Sequence, residues 1–223
     1  MAVATSNLAH TSDMASQNPR QLLHNAPSIR LHIMLKGQNM QIHGQSVFDV
    51  FAKPVMSADA KSLRYDGFAT FIQGDSESTY MLIDGSAYVA ESARDDTTSA
   101  TTQTIRCLSS ITPFDSIVDA LNNLTAISSS SGGDDSELDC PTEGLHETRF
   151  GGKHFVVCSL GPDGVIASGG DIAMTVEYLD HPLNSLSAPK LTDGSESCTV
   201  VAKPTPVSLT AIALLTGKEV SPA

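Results

Sequence analysis

The sequence predicts a mainly β protein of the α+β kind, a curved antiparallel sheet or half-barrel packed against one main helix at about 112–127. Three observations lead there. Apolar and polar residues alternate in several short stretches, the period at which a strand turns one face to a core. Asp84-Gly85 separates two apolar stretches, and both residues of a tight two-residue hairpin turn must tolerate positive φ. From His146 onward, short strand-like stretches are joined by glycine-bearing turns, which link only antiparallel neighbours.

Residues 1–27 are polar and aperiodic, and such a stretch buries too little apolar surface to order itself, so a disordered leader is expected. Leu31, Ile33 and Leu35 then alternate with His32, Met34 and Lys36, and a second run passes through Met40, Ile42 and Val47 to Phe51. Both read as strands. Residues 53–64 are polar and include Pro54, the mark of a connection, and the strand pattern resumes over 65–73. The hairpin follows, with arms at 79–83 and 86–90. A Ser/Thr-rich loop is expected at 92–103.

The helix has a full set of start signals. Thr112 is placed to cap it, Pro113 suits its first position, Asp115 sits in the favourable first turn, and Phe114, Ile117, Val118, Leu121 and Leu124 recur at helical spacing. Residues 128–137 are Ser, Gly and acidic, which makes a flexible loop. The meander beyond it turns at Gly151-Gly152, at Gly161 to Gly164 and at Gly169-Gly170, and its last strand covers 172–179. After Asp180 prolines recur, 198–201 is an edge-strand candidate, and 208–216 fits either a last strand or a short helix. The expected organisation is a leader at 1–27, one β-rich domain at 28–202 and a proline-containing tail at 203–223.

Of the 223 residues 40% are hydrophobic but only 5% aromatic, with no Trp, so the core must rest on Ile, Leu, Val, Met and Ala. Thirteen basic against 25 acidic residues give a net charge of -12, and the basic ones form no run. That excludes a nucleic-acid partner and an anionic membrane surface, both of which need clustered positive charge. The longest apolar segment, 209–215, is far below the roughly 20 residues of a spanning helix.

Cys107, Cys140, Cys158 and Cys198 lack the C-x-x-C spacing of a zinc site, and their even number predicts two disulfides in a secreted, extracellular protein. The alternative is four reduced, buried thiols. Of three possible pairings, Cys107 with Cys140 and Cys158 with Cys198 is the one expected here. Residues 1–16 have no basic stretch followed by an apolar one, so a secretion signal is expected to have been removed. Asn123-Leu124-Thr125 is a glycosylation acceptor by sequence, in keeping with export.

Signals of catalysis are missing. The seven His residues include no pair spaced to converge on a metal, no G-x-S-x-G is present, and Asp66 and Asp171 sit beside glycines as turn formers do. Asp134 and Asp135 lack the spaced oxygen ligands of a calcium loop. No catalytic residue, metal or cofactor is expected.

Three stretches, residues 44–50 (GQSVFDV), 65–70 (YDGFAT) and 80–88 (YMLIDGSAY), make residues 30–91 resemble the first half of the LolA/LppX-type lipoprotein-carrier fold, a half-barrel cupping a lipid against helices. The resemblance implies an apolar cavity lined from the sheet by Phe48, Val50, Met81, Ile83, Ala87 and Val89, or their opposite-face neighbours. From the helix, Phe114, Ile117, Val118 and Leu121 would complete it. Separately, Arg20-Gln21-Leu22-Leu23 is similar to the R-x-L-R host-targeting motifs of secreted oomycete effectors. The leading expectation is thus a non-catalytic extracellular binding protein with an apolar small molecule or lipid as ligand. The alternatives are a secreted effector or cell-surface protein acting on a host protein, and a hydrolase whose site the linear sequence does not display.

Overall fold

The computed structural model describes residues 18–37, 39–58, 61–94, 101–109, 114–127, 140, 144–184 and 186–218, with the backbone alone for 114–116. Its strands are β1 (Ile29–Leu35), β2 (Val47–Met56), β3 (Ser62–Gln73), β4 (Ser76–Ile83), β5 (Ser86–Arg94), β6 (Thr101–Cys107), β7 (Thr125–Ala126), β8 (Leu145–Phe150), β9 (Lys153–Ser159), β10 (Val165–Gly169), β11 (Ile172–Tyr178) and β12 (Thr205–Pro206). Three short helices accompany them: α1 (Pro19–His24), α2 (Phe114–Asn122) and α3 (Leu209–Thr216).

All the strands join one open, curved antiparallel sheet in the order β6-β5-β4-β3-β2-β1-β11-β10-β9-β8-β7, and β12 is added to β3. It consists of two meanders. One runs outward from β1 to β6 and the other inward from β7 to β11, and they meet where β1 pairs with β11 from Ile29 opposite Tyr178 to Leu35 opposite Ile172. The sequence-expected mainly β, half-barrel-like class is therefore the one observed, and so is the 84–85 hairpin, where Ile83 stands opposite Ser86 and Asp84 and Gly85 take φ of 52° and 77°.

The main core lies on the face that carries the helices. Leu31, Val50, Leu63, Ala69 and Phe71 project from β1, β2 and β3 and are met by Leu22 and Leu23 of α1 and by Ile212 and Leu215 of α3. A second cluster, with Phe155, Val157, Val165, Ala167 and Leu214, continues it beneath β9 and β10. Each of the larger aliphatic and aromatic side chains among them contributes on the order of 1.5–3 kcal/mol by leaving water.

Several expectations about the ends and edges are corrected. Part of the leader is folded: α1 starts on Asn18, whose side chain accepts a hydrogen bond from the Arg20 amide, and Leu22 and Leu23 are buried. A six-residue helix is unstable alone and holds here because of that burial. Residues 1–17 lie outside the described residues. The tail is folded too, for Ser208 caps α3 by accepting from the Ala211 amide, and Ala211, Ile212, Leu214 and Leu215 are all buried. A helix apolar on every side belongs in an interior.

Pro54 lies inside β2, not in a connection. Ala52 is the last residue of β2 flanked by β1, so Pro54 stands where the strand has become an edge and a missing N–H is tolerated. Strand β5 continues to Arg94 and β6 begins at Thr101, so both ends of the expected 92–103 loop are paired strand, and 95–100 lie outside the described residues. The helix is shorter than 112–127, because Thr125–Ala126 joins the sheet as β7; its expected cap, Thr112, and the 128–137 loop lie outside the described residues. The 198–201 stretch makes only an isolated bridge, Val200 to Ser86.

Two tyrosines are tied to the helix packing. Tyr65 is buried with no partner for its hydroxyl among the described residues, and burial pushes its pKa far up. Burial also drives Tyr178 up to about 12, while its hydroxyl donates to the Leu214 carbonyl in α3. Raised values favour the neutral phenols of the folded state, so the stability they contribute is intact below pH ~10, the unfolded value, and falls away above it. Alkaline titration followed at the phenolate absorbance should show two of the four tyrosines ionising only together with unfolding.

Candidate functional site

The residues expected to line an apolar cavity in the half-barrel do not share one face. Val50 belongs to the main core, Phe48 packs against it, Val89 and Ala87 are fully buried, Val118 is buried, and Leu121 bridges the first two clusters. Ile117 is half-buried, and the Phe114 side chain lies outside the described residues. Met81 and Ile83 are on the other face. Because Ile83 pairs with Ser86, the partner of Ala87 is Leu82 and the partner of Val89 is Tyr80, and a one-residue offset reverses the face. The set Met81, Ile83, Ala87 and Val89 is thus split between the two faces.

Helices occupy the space where a ligand would lie. What remains beside Leu63, Tyr65, Leu82, Val118 and Ala202 is a hollow of about 10 Å³, the volume of a single water site.

A larger feature lies at the far end of the same face, past the helices. It is a groove of about 380 Å³ over β4, β5 and β6, lined among others by His43, Ser78, Glu91, Thr102 and Thr104. Register explains the lining: Ser78 pairs with Glu91, and Glu91 pairs with Thr104, so these side chains share the inner face. His43 comes from the β1–β2 connection, in a tight turn closed by the Ile42 to Gln45 bridge. It has φ of 48°, an uncommon conformation for a residue with a side chain. The turn aims the imidazole at the sheet, where Nε2 and the Tyr80 hydroxyl are hydrogen-bonded at 2.8 Å and the ring lies 5.5 Å from that of Phe71. His43 therefore closes the core on one side and walls the groove on the other. Arg106 reaches Glu91 across the strands at 3.3 Å. Hydroxyl groups dominate this lining, which suits polar ligands and gives no hydrophobic drive to hold a lipid.

The groove borders a sheet edge. Ile105 directs its backbone away from β5, since its N–H donates to Thr192 Oγ1 at 2.7 Å and its carbonyl accepts from the Thr192 N–H at 3.0 Å. Alternation along an antiparallel strand gives Gln103 and Thr101 the same orientation. Neither has a backbone partner on that side among the described residues.

Thr192 belongs to a strap, residues 180–202, that crosses the outer face. Leu191 and Leu186 pack there on Ile83, Tyr88 and Met81. Val201 and Ala202 then donate to the Gly85 carbonyl as the chain rounds the hairpin turn toward β12. A Cys107–Cys198 disulfide fastens this strap to β6, and Cys140 pairs with Cys158. The expected pairing is corrected on both counts. Cys158 lies in β9, eight places from β6 in the sheet, whereas the strap brings Cys198 back to the β5–β6 side.

The remaining candidates are structural in their contacts. Asp66 is buried and accepts from Arg64 Nε and the Asp84 amide, both at 3.2 Å, which fastens the hairpin turn. Asp171 sits at the β10–β11 turn, where its carbonyl accepts from Lys36. The two carboxylates stand at opposite ends of β2, so they do not form an acid pair. On the outer face Asp49 takes Arg30 at 2.9 Å and His32 at 2.7 Å. Burial raises the Asp49 pKa, but the hydrogen bonds and charges of His32 and Arg30 outweigh it and hold the carboxyl below its usual range. Asn123 is exposed, and its side-chain amide donates to the Asp119 carbonyl at 2.8 Å. Asp134 and Asp135 lie outside the described residues. Among the described residues no three His, Cys, Asp or Glu side chains converge as metal ligands would, and no helix is long and apolar enough to cross a membrane.

No protein-family model matches this chain, and neither does any curated protein or solved structure.

Sequence reasoning missed the groove because Ile105 is the lone aliphatic side chain of β6, on the outer face. Thr102, Thr104 and Arg106 line one side and Gln103 and Cys107 the other, leaving no alternation of apolar with polar residues to mark a strand. The only signal was the β propensity of its threonines and isoleucine.

Proposed function

We propose that this is a non-catalytic, extracellular binding protein that takes an extended peptide as an added strand along β6, with alternate side chains of the peptide over the polar groove. One observation carries the reading: the outward backbone groups of Thr101 and Gln103 are unpaired among the described residues, on a strand whose next outward residue, Ile105, is already bonded in that manner by Thr192. Strand addition draws affinity from main-chain hydrogen bonds and selectivity from the side-chain positions beside the edge. The net charge of -12 favours a peptide with basic residues. The two disulfides and the exposed Asn123 sequon support an extracellular setting.

The lipid-carrier reading stands second. The open curved sheet with helices on one face is the architecture it calls for, but α1 and α3 would have to move for an apolar ligand to enter.

Selection from a displayed library of unstructured peptides tests the first reading. Enriched sequences should be extended and basic, and Gln103→Pro, which deletes an outward N–H, should weaken them about tenfold, the ~1.4 kcal/mol scale of one backbone bond and its desolvation. Gln103→Ala keeps that N–H and should bind as the parent does. Equal binding by Gln103→Pro, with its thermal transition unchanged, would remove the strand-addition reading. Lipid found in an organic extract of the native protein would favour the second.

A further inference from the structure

We infer that the Cys107–Cys198 disulfide is a redox latch, and that opening it lets the strap leave β6, lengthening the free edge and uncovering the apolar patch around Ile83 and Tyr88. The inference rests on the reading of β6 as a peptide-binding edge.

The strap competes for that edge. Thr192 already holds both outward groups of Ile105, so with the latch closed only Thr101 and Gln103 are left to a partner. Between β11 and Cys198 the described residues of the strap form no helix or strand, and residues 192–197 are exposed. Among the described residues few contacts hold this span: the Leu183 amide donating to the Ser28 hydroxyl at its start, the Thr192 pair, the Ser86 hydroxyl donating to the Cys198 carbonyl, and the burial of Leu191 with partly buried Leu186. Ordering so many irregular residues costs conformational entropy that these contacts only partly offset. Beyond Cys198 the chain is anchored independently, through Val201 and Ala202 on the Gly85 carbonyl and through β12 and α3. Release would therefore free an internal loop and leave the sheet in place.

The two disulfides differ in access. Cys198 is buried at 8% exposure, but its partner Cys107 is exposed at the end of an edge strand and open to attack, whereas Cys158 is fully buried in β9 and Cys140 is only half-buried. Exchange rates depend on access to the attacked sulfur. A small-molecule thiol is the reductant. Its thiolate attacks Cys107 Sγ, the Cys107–Cys198 bond breaks, and the electron pair leaves on Cys198 Sγ, which takes up a proton. A second thiolate then attacks the reductant's sulfur in the mixed disulfide, releasing Cys107 as a thiol once protonated and the reductant as its own disulfide.

The oxidised full-length protein, titrated with dithiothreitol, tests this by alkylation and mass spectrometry of each cysteine alongside hydrogen exchange. Cys107 and Cys198 should label at reductant levels that leave Cys140 and Cys158 unlabelled. At that point the Ile105 amide should lose protection and an apolar dye should bind, while the β4–β5 amides keep their protection. A Cys107→Ser/Cys198→Ser chain should behave the same way without reductant. Simultaneous labelling of all four cysteines would overturn the latch, as would an Ile105 amide that stays protected after Cys107 and Cys198 are labelled. Collapse of β4–β5 protection in step with Ile105 would overturn it as well, since the bond would then hold the fold and not the strap. Library-selected peptides should bind the opened form at least about tenfold more tightly, since two more outward groups become available. An opened strap with no gain in peptide binding upholds the latch and removes the reading of β6 as the binding edge.

Discussion

A chain ending at Ala202 is expected to lose its cooperative unfolding transition altogether. The truncation removes β12, which pairs with Leu63 and Ser62 of β3, and all of α3. Ile212, Leu214 and Leu215 are at most 6% exposed, so at 1.5–3 kcal/mol each their loss withdraws roughly 5–9 kcal/mol. That is comparable with the whole net stability of an ordinary domain, about 5–15 kcal/mol. It also leaves Leu22 and Leu23 of α1 and the face of β1 to β3 without a cover. Ile212→Ala is the milder form of the same change and should cost about 2–5 kcal/mol, the range for emptying a well-packed aliphatic site. Chemical denaturation followed by circular dichroism measures both. A truncated chain that still unfolds in a single sharp step near the parent's midpoint would mean that 203–223 is a dispensable tail.

Gly85→Ala should destabilise the protein by about 3 kcal/mol or more, with a smaller loss for the same change at Gly74. Both glycines have positive φ, 77° and 60°, so in each case a side chain costs about 1–2 kcal/mol of backbone strain. Only Gly85 is also crowded. A Cβ there would stand 2.3 Å from the Ala202 carbonyl oxygen, while nothing lies within 4 Å of one at Gly74. The obstacle is backbone, and it belongs to the strap segment that donates two hydrogen bonds to the Gly85 carbonyl, so it cannot yield without giving those up. The difference between the two variants therefore measures the strap crossing itself. Equal losses within about 0.5 kcal/mol, the usual error of additivity, would show that the crossing carries no strain.

How far the site was legible follows from the range of each signal. The 84–85 hairpin was readable because turn chemistry and two flanking apolar strands are all local. The expected cavity set divides between the two faces for an equally local reason: a two-residue turn sets Leu82 opposite Ala87, which puts Met81 and Ile83 on the outer face. The helix at 114–122 was announced by its apolar spacing, but its packing against α3 was not, since nothing near Val118 in sequence points to a helix some ninety residues on. Groove residues such as Ser78, Glu91 and Thr104 read as solvated strand positions. They become a site only because His43, from a turn 35 or more residues away from them in sequence, walls one side.

Alternating apolar positions and glycine-bearing turns were enough by themselves to determine an antiparallel, mainly β protein, because strand pleat and turn conformation depend on neighbouring residues. Which cysteines pair, that both chain ends help cover the sheet, and that a strap shields half of the β6 edge were decided only in three dimensions. Those outcomes depend on two meanders meeting at β1 and β11, which sets strands distant in sequence side by side and leaves β6 and β7 as the rims.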